Sequence, residues 1–268
     1  MHAGQNIISV ATSEAGLCLT TENWQEAKVD ALSYSLEFLL HKPGYKVLQK
    51  IVSLAHYVGW SKTLILNAAS LKANREGVYH LKSPYDGSKT KLSAQELLVL
   101  IHHLNPEMVL LPKNIYQDYP QMWEDWQSST FPFMHADDLS QQMIPYEHGV
   151  YFDETMRAQL EQWSHLPRYV MGALDESLIH QLRSQGIKLI ESDEPAKAAL
   201  HGQVYSQLGM VDLTDKVTEM QFEIIDTDCV CPSCIQKFTK AYFYHLLQNT
   251  PLLCQRFLIQ HNLFWMAI

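Results

Sequence analysis

The chain has 268 residues, and its 20 lysines and arginines stand against 29 aspartates and glutamates, a net charge of −9. Hydrophobic residues make up 47% of the chain and charged residues 18%, which supplies a core and excludes a disordered or fibrous protein. The first ten residues lack the features of a signal peptide, and no stretch approaches the roughly 20 apolar residues of a membrane span. The sequence therefore predicts a cytoplasmic protein of one large domain, or one domain with a small appendage, without a membrane segment.

The charge is unevenly distributed along the chain. No acidic residue follows Asp228, whereas Lys237, Lys240 and Arg256 make the C-terminal segment basic. An acidic body is a poor general surface for nucleic acids, because phosphate binding depends on clustered lysine and arginine. Apart from the C-terminal segment, phosphates could be met by the stretch that holds Lys62, Lys72, Arg75, Lys82, Lys89 and Lys91. The alternative is a solvated acidic surface with one basic face.

Short apolar runs alternate with longer stretches of helical periodicity. The predicted strands are Gly16–Thr20, Ala31–Leu36, Thr63–Asn67, Met108–Pro112, Phe131–His135, Gly149–Phe152, Arg168–Gly172 and Lys188–Glu191. The predicted helices are Asn23–Asp30, Gly44–Val58, Ser93–Leu104, Ile115–Gln127, Asp153–Trp163 and Glu176–Gln185. This alternation predicts an α/β fold with parallel βαβ units, and about eight units fit a (β/α)8 TIM-type barrel, complete or abridged.

In such a barrel the chemistry lies on the loops that follow the strands. The residues that this rule places near the functional face are Asn67, Lys113, Asp137, Asp153, Asp175 and Glu191. The alternative for each is a loop residue that only binds nearby backbone N–H groups.

Three cysteines, Cys229, Cys231 and Cys234, fall within six residues. Three thiolates this close suit a tetrahedral Zn2+, and an odd cysteine count argues against a disulfide framework. Either His245 or His261 could be the fourth ligand. The alternative is three buried cysteines without a metal.

The intervening residues 235–248 and a second stretch, Leu252–Gln260, have helical character, so that a hairpin could fold His261 back. Four protein ligands would leave no open position, which predicts a structural site. Cys254 stands alone on an apolar helix and is predicted to be a core residue.

This C-terminal segment resembles the zinc subdomain of the tRNA-guanine (queuine) transglycosylase family. The resemblance rests on the three cysteines, on the run Lys240–His245 with its Lys-Ala-Tyr-x-x-His pattern, and on His261-Asn262-Leu263. It selects His261 as the fourth ligand and implies a barrel over residues 1–226 with a zinc-binding subdomain over residues 227–268.

The resemblance continues through the earlier part of the chain. Family-like motifs are Lys42-Pro43-Gly44, Glu76-Gly77-Val78, Asp86-Gly87-Ser88, Leu92-Ser93 and the strand Pro167–Gly172. It implies a (β/α)8 barrel, a tRNA substrate and a tendency to dimerise. The chain is shorter than the usual enzyme, which implies an abridged barrel.

The catalytic positions depart from the family pattern. The proton-shuttling Asp of an Asp-Ser-Gly-Gly motif is replaced by Asn67, and two glycines by Ala69 and Ser70. An amide cannot exchange protons near neutral pH, so Asn67 is predicted to be inert as a general acid or base.

Counting back from Pro195 and Gly202 places the nucleophile position at Glu191, which keeps the carboxylate but adds a methylene. A displacement near 1 Å can cost on the order of 100-fold in rate. The second arginine position that follows in the family is Leu200. Lys113 takes the place of the Asp that pairs with the guanine edge.

The Gln-Gly-Gly base-binding segment of the family is represented by Glu147-His148-Gly149, so that Lys113, Glu147 and Gly149 are the predicted base-binding residues. Compared with the family pattern, the chain keeps the zinc ligands but lacks several of the functional carboxylates. This combination leads to two main hypotheses.

The first hypothesis is a non-catalytic paralogue, similar to the accessory subunit of the eukaryotic queuine enzyme. It would bind tRNA, a 7-deazaguanine-type ligand or an active transglycosylase subunit, as a homo- or heterodimer. The second is a divergent base-exchange enzyme or nucleosidase that uses Glu191 as nucleophile or base, with Asp153 or Asp175 for proton transfer. A DNA-modifying relative would need the same carboxylates and is the weaker alternative.

Overall fold

The computed structural model describes residues 7–126, 129–139, 144 and 146–267. Its strands are β1 Ser9–Val10, β2 Ala31–Ser35, β3 Thr63–Asn67, β4 Val78–Lys82, β5 Lys89–Ser93, β6 Met108–Leu110, β7 Phe131–His135, β8 Gly149–Phe152, β9 Arg168–Gly172, β10 Leu189–Ser192, β11 Gln203–Val204 and β12 Val211–Asp212. Eight of them follow one another in the sheet order β1-β2-β3-β6-β7-β8-β9-β10. This order of parallel strands confirms the α/β class and the (β/α)8 barrel type.

Helices connect most of the strands. The α-helices are α1 Thr21–Glu26, α2 Leu36–Leu39, α3 Tyr45–Leu48, α4 Leu54–Val58, α5 Ala94–Leu104, α6 Ile115–Asp118, α7 Ala136–Leu139, α8 Glu176–Ser184, α9 Glu194–Leu200, α10 Pro232–Ile235, α11 Lys240–Asn249 and α12 Pro251–Ala267. Short 3-10 helices cover Gly16–Cys18, Pro120–Trp123, Glu154–Trp163 and Lys216–Met220, and a π-helical segment covers Leu40–Gly44.

The chain divides into two compact units. One unit comprises residues 31–171 and contains β2 through most of β9. Its strands β2, β3, β6, β7, β8 and β9 pair in parallel, with registers such as Leu66 opposite Val109 and Met134 opposite Val150. The central strands β3, β6, β7 and β8 are buried at all but at most two positions, which is why each is a nearly continuous apolar run.

Helix α5 shows how sequence dictates local structure in this unit. Ser93 accepts a hydrogen bond from the Glu96 backbone N–H, and the Glu96 carboxylate accepts one from the Ser93 N–H. This reciprocal pair of hydrogen bonds is a capping box. Leu97, Ile101 and Leu104 are fully buried, so one apolar face of the helix packs into the core.

The other unit comprises residues 1–30 and 172–268. Within it β1 lies beside β10, through a parallel bridge between Ile8 and Glu191. Helix α12 packs against α9, α10 and α11. The division into residues 1–226 and 227–268 remains a prediction.

Several predicted elements differ from the structure. Residues Gly16–Cys18 form a 3-10 helix instead of a strand, because Ser13 accepts hydrogen bonds from the Gly16 N–H at Oγ and the Leu17 N–H at its carbonyl. The single helix expected over Gly44–Val58 is broken after Leu48, and α4 starts anew where the Ser53 hydroxyl caps the His56 N–H.

Two further differences bear on the functional regions. The hairpin of β4 and β5 was not predicted, because its exposed face carries lysines and only alternate residues such as Leu81 and Leu92 are buried. His261 lies inside α12, which continues to Ala267, and not after a helix that ends at Gln260.

Candidate metal centre and strand-end residues

Cys229, Cys231, Cys234 and His261 form a buried cluster. Their potential ligand atoms all lie within 4.8 Å of one another. The three sulfurs lie 3.7, 3.3 and 3.5 Å from Nδ1 of His261. A tetrahedral zinc with Zn–S near 2.3 Å and Zn–N near 2.0 Å would separate S and N by about 3.5 Å. The cluster therefore has the donor set and the dimensions to hold a metal ion.

His261 is oriented for metal binding by its second ring nitrogen. Nε2 lies 2.8 Å from the carbonyl oxygen of Tyr205, to which it donates as N–H. Nδ1 is consequently the unprotonated nitrogen that faces the sulfurs. Metal-ligating histidines commonly have such a backbone partner, which fixes the ring and the tautomer.

The loop that carries the cysteines is held by backbone hydrogen bonds. Asp226 Oδ1 accepts from the N–H groups of Cys229 and Asp228. Cys231 caps α10, and its Sγ accepts from the Cys234 N–H at 3.4 Å. Hydrogen bonds from the neighbouring thiols and from the backbone lower the pKa of Cys231, which favours the thiolate that a metal requires.

Two other candidate residues lie outside this cluster. Among the described residues, no other group of three or more His, Cys, Asp or Glu side chains could hold a metal, so His245 on α11 is not brought to the cysteines. Cys254 is fully buried in α12 with its thiol 3.6 Å from the Phe243 carbonyl. Burial raises the pKa of Cys254 to about 12, consistent with a neutral core residue.

Glu191 lies in β10 and is largely buried, with 7% of its surface exposed. The segment that follows holds a second buried carboxyl, Asp193, whose Oδ1 accepts from the Ser13 hydroxyl at 2.7 Å. Among the residues that the structure describes, Asp193 Oδ2 has no hydrogen-bond partner. Burial, with smaller contributions from nearby charges such as Glu191, raises the pKa of Asp193 to about 6. This segment thus contains a carboxyl that can hold a proton close to neutral pH.

Asn67 is the last residue of β3. Its Oδ1 accepts from the Ala69 N–H at 3.0 Å, and its Nδ2 lies 3.5 Å from Sδ of Met171. The first of these bonds is a local turn, the alternative role foreseen for strand-end residues. An amide in this position offers a donor and an acceptor and no titratable proton.

Lys113 follows β6 and forms an ion pair with Asp137, with Nζ 2.5 Å from Oδ2. His135, at the end of β7, has Nδ1 3.7 Å from the same carboxylate oxygen and accepts the Asp137 N–H at 3.2 Å. Burial and the charge of Lys113 lower the pKa of His135, which favours a neutral ring with its proton on Nε2. The strand ends thus bring together Lys113, Asp137 and a histidine.

Asp138 lies beside this group of strand-end residues and binds a backbone N–H. Its Oδ2 accepts from the Asn114 N–H at 2.9 Å, and burial raises its pKa. Asp153, at the end of β8, instead binds the Thr155 N–H and hydroxyl, which lowers its pKa.

Glu147 and Gly149 lie just before and at the start of β8. Gly149 opens β8, whereas Lys113 follows the end of β6, and these strands run parallel through β7. Through Phe133 of β7, Gly149 is in register with Leu110, the last residue of β6, so Lys113 lies two strands away and three residues further along. The base-binding role of these residues stays a prediction. A Cβ at Gly149 would lie only 2.2 Å from the Phe133 ring, so this glycine is explained by close packing.

Sequence reasoning missed His135, Asp138, Asp193 and Asp226. His135 ends a predicted strand and could have been found by the rule that singled out its neighbour Asp137. Asp193 and Asp226 carry no comparable signal, because their roles depend on burial and on backbone contacts.

Known proteins resemble this chain both in its C-terminal half and along nearly its whole length. Residues 145–267 match the family model described as queuine tRNA-ribosyltransferase. A queuine tRNA-ribosyltransferase of Thermotoga neapolitana is 23% identical over 96% of this chain and 82% of its own length, and one of Dictyoglomus turgidum is 20% identical over 95% and 79%. A third, from Clostridium acetobutylicum, is 31% identical over 38% of this chain and 28% of its own length.

Among the described residues, no helix is both long and apolar enough to cross a membrane. The family match over residues 145–267 and the alignments along nearly the whole chain agree with the zinc-type motif that the structure gathers. The chain thus matches the queuine tRNA-ribosyltransferase family over residues 145–267 and is similar, at low sequence identity, to queuine tRNA-ribosyltransferases along nearly its whole length.

Proposed function

We propose that the protein is a non-catalytic paralogue in tRNA modification of the queuosine or 7-deazaguanine type, an accessory subunit that retains a structural zinc. The observation that carries this proposal is Asn67. Its amide takes the position of the family's proton-shuttling carboxylate, and its Oδ1 already accepts the Ala69 N–H. Base exchange requires a proton to leave one base and reach another, which an amide cannot mediate.

Lys113 supports the same conclusion. The resemblance assigns its position to a carboxylate that recognises the guanine edge, and Lys113 brings the opposite charge. The Lys113–Asp137 ion pair raises the pKa of the lysine, so the ammonium persists at all physiological pH values. A cation donates hydrogen bonds and cannot accept those that guanine N–H groups offer.

The zinc would be structural. Cys229, Cys231, Cys234 and His261 supply four ligands, which leaves no coordination position for water or substrate. When bound, the ion would fasten the 229–234 loop to α12, and it would take no part in a reaction.

The partner would be an active transglycosylase subunit or a second copy of this chain, together with tRNA, in the cytoplasm. Apolar side chains on and beside the 3-10 helix Lys216–Met220 support an interface. Val217, Met220 and Phe222 are 63, 71 and 67% exposed. Such an exposed apolar group is typical of a protein–protein contact.

Asp193 favours a second candidate, a divergent base-exchange enzyme or nucleosidase. In it, the Glu191 carboxylate would attack C1′ of the ribose, or activate a water to do so, while the glycosidic C–N bond breaks and the base leaves with a proton. A buried carboxyl with a pKa of about 6 could carry that proton.

Guanine exchange into tRNA separates the two candidates. The zinc-loaded protein and its Glu191→Gln variant are assayed alone and mixed with a standard family enzyme. The accessory role predicts no exchange by the protein alone and a changed rate in the mixture. Exchange by the protein alone that disappears in Glu191→Gln would establish the second candidate, and an unaffected mixture would remove the first.

A further inference from the structure

Residues 40–93 have a charge opposite to that of the rest of the chain. They hold nine of the 20 lysines and arginines and only two of the 29 acidic residues, Glu76 and Asp86. The segment therefore carries +7, and the remaining residues carry −16. A concentration of positive charge in an otherwise acidic protein is the electrostatic signature of a polyanion-binding surface.

The structure gathers part of this charge around one groove. The groove has a volume of about 480 Å3 and lies between the Leu40–Gly44 segment with α3 and the hairpin of β4 and β5. Lys46, Lys89 and Lys91 line it, and all three are exposed. We call it the hairpin groove.

The hairpin places two lysines opposite each other. Lys82 pairs with Lys89 across the two strands, and His80 pairs with Lys91. These four residues are exposed and alternate with the buried Leu81 and Leu92. Like charges that face each other across a strand pair are destabilising, and an anion bound between them would relieve the repulsion.

Two carboxylates near these lysines are held by other hydrogen bonds. Asp86 accepts the Ser88 N–H at 3.0 Å, and hydrogen bonds from Ser83 and Ser88 lower its pKa to about 2. Glu96 is engaged by the Ser93 N–H. Within the described part of the chain, Lys46, Lys82, Lys89 and Lys91 form no ion pair.

Exposed aromatic and backbone surface adjoins the lysines. The ring of Tyr85 is 60% exposed, with Nζ of Lys42 5.2 Å from its centroid. Gly44 lines the groove at φ +96°, and no atom lies within 4 Å of where a Cβ would stand. Lysines interleaved with exposed aromatic rings suit a nucleic-acid strand, whose phosphates and base faces they can contact together.

We propose that the hairpin groove binds the phosphodiester backbone of a folded RNA. Lys89 and Lys91 project from one strand face about 6.6 Å apart, a spacing that lets each meet a different phosphate. The identification of this RNA as tRNA rests on the proposed function. The groove would supply a tRNA contact in a chain whose net charge is negative.

The test measures binding of a fluorescently labelled tRNA transcript by the full-length, zinc-loaded protein at several salt concentrations. In the groove variant, Lys89→Ala is combined with Lys91→Ala. The matched control combines Lys188→Ala with Lys216→Ala, two exposed lysines of the other unit. A charge-conserving variant replaces Lys89 and Lys91 by arginine. Circular dichroism and the thermal midpoint establish that each variant is folded.

We expect the groove variant to bind tRNA at least 10-fold more weakly at about 0.1 M salt. The slope of log K against log salt should fall in magnitude by about 1.4 to 1.8, since each phosphate contact contributes about 0.7 to 0.9. The control pair and the arginine variant should stay within about twofold of the original protein. Unchanged affinity and slope in the alanine variant would overturn the inference, and so would a failure of the original protein to bind folded RNA.

A second RNA separates this inference from the proposed function. A hairpin RNA of unrelated sequence should bind through the same two lysines, because the groove contacts the backbone. If both RNAs bind in this way while the mixed exchange assay shows no effect, the groove is supported and the accessory role fails. If the protein changes the rate of guanine exchange in the mixture, but its RNA affinity does not depend on Lys89 and Lys91, the accessory role is supported and the groove is excluded.

Discussion

Asn262 Oδ1 accepts the backbone N–H of Tyr205 at 3.1 Å. The preceding residue of α12, His261, donates its Nε2–H to the carbonyl oxygen of the same tyrosine. Two consecutive side chains therefore satisfy both backbone groups of one residue. The His-Asn pair that marks the family resemblance is thus a metal ligand followed by a structural clamp.

Asn262 is the first target for mutation. It is fully buried, and its Nδ2 also donates to the carbonyls of Pro195 and Gln203. Asn262→Ala removes three hydrogen bonds to backbone groups, including that of the buried Tyr205 N–H, so we expect a loss of about 2 to 4 kcal/mol in the free energy of unfolding. Urea denaturation measures this loss. Asn249→Ala, at an exposed site on α11, should cost less than about 0.5 kcal/mol. Equal effects of the two changes would refute the clamp.

Metal content tests the cysteine cluster. The purified protein should contain one zinc per chain by elemental analysis, and Cys234→Ser or His261→Ala should abolish it. A chelator should lower the thermal midpoint of the original protein, because binding energy of the ion contributes to folding. Cys254→Ala is the matched control, since it removes a buried cysteine of α12 from outside the cluster. That variant should lose stability through a cavity and keep its zinc; a protein that folds without any metal would argue against the site.

The parts of the fold that the sequence predicted are those governed by local pattern. Strands such as Thr63–Asn67 and Phe131–His135 were predicted with the bounds that the structure has, because continuous apolar runs flanked by helices indicate buried parallel strands. The β4–β5 hairpin was not predicted, because buried residues alternate with exposed lysines along its strands and no continuous apolar run results.

The site divides in the same way. The cysteines are visible in the sequence because the loop that holds them spans six residues. Contacts such as Lys113 with Asp137, 24 residues apart, depend on neighbouring strand ends and have no local signature. Asp226 accepts backbone N–H groups at its Oδ1, and Tyr205 accepts from His261 at its backbone carbonyl. Neither contact has a sequence motif.

Asp193 predicts a specific pH dependence of stability. Its pKa is raised from 3.8 to about 6 in the folded protein, where Ser13, Lys197, Glu194 and Glu191 surround it. Between these pH values the folded state retains a proton that the unfolded state has released, so stability falls as pH rises through this window. The contribution amounts to at most about 3 kcal/mol.

Asp193→Asn should remove this dependence, because the amide oxygen can still accept from Ser13 and carries no charge. We expect the variant and the original protein to have similar stability at pH 4, and the variant to be more stable at pH 7.5. Urea denaturation at both pH values measures the difference. Ser13→Ala should shift the fall in stability to higher pH, since the hydroxyl that stabilises the carboxylate is lost. A constant difference between Asp193→Asn and the original protein would contradict the raised pKa.

The last prediction concerns the lost carboxylates. Combining Asn67→Asp with Lys113→Asp restores the family residue at both positions, yet we expect no guanine exchange. Lys113→Asp removes the cation that pairs with Asp137 and adds a negative charge near Asp137 and Asp138. Mutual repulsion should then raise the pKa values of these carboxyls and disorder the strand ends. Ala69 and Ser70 also remain where the family has glycines. Radiolabelled guanine incorporation into tRNA measures the outcome, with Asn67→Asp alone as the control. Robust exchange by the double variant would contradict this expectation, and the case for a degenerate site would fail.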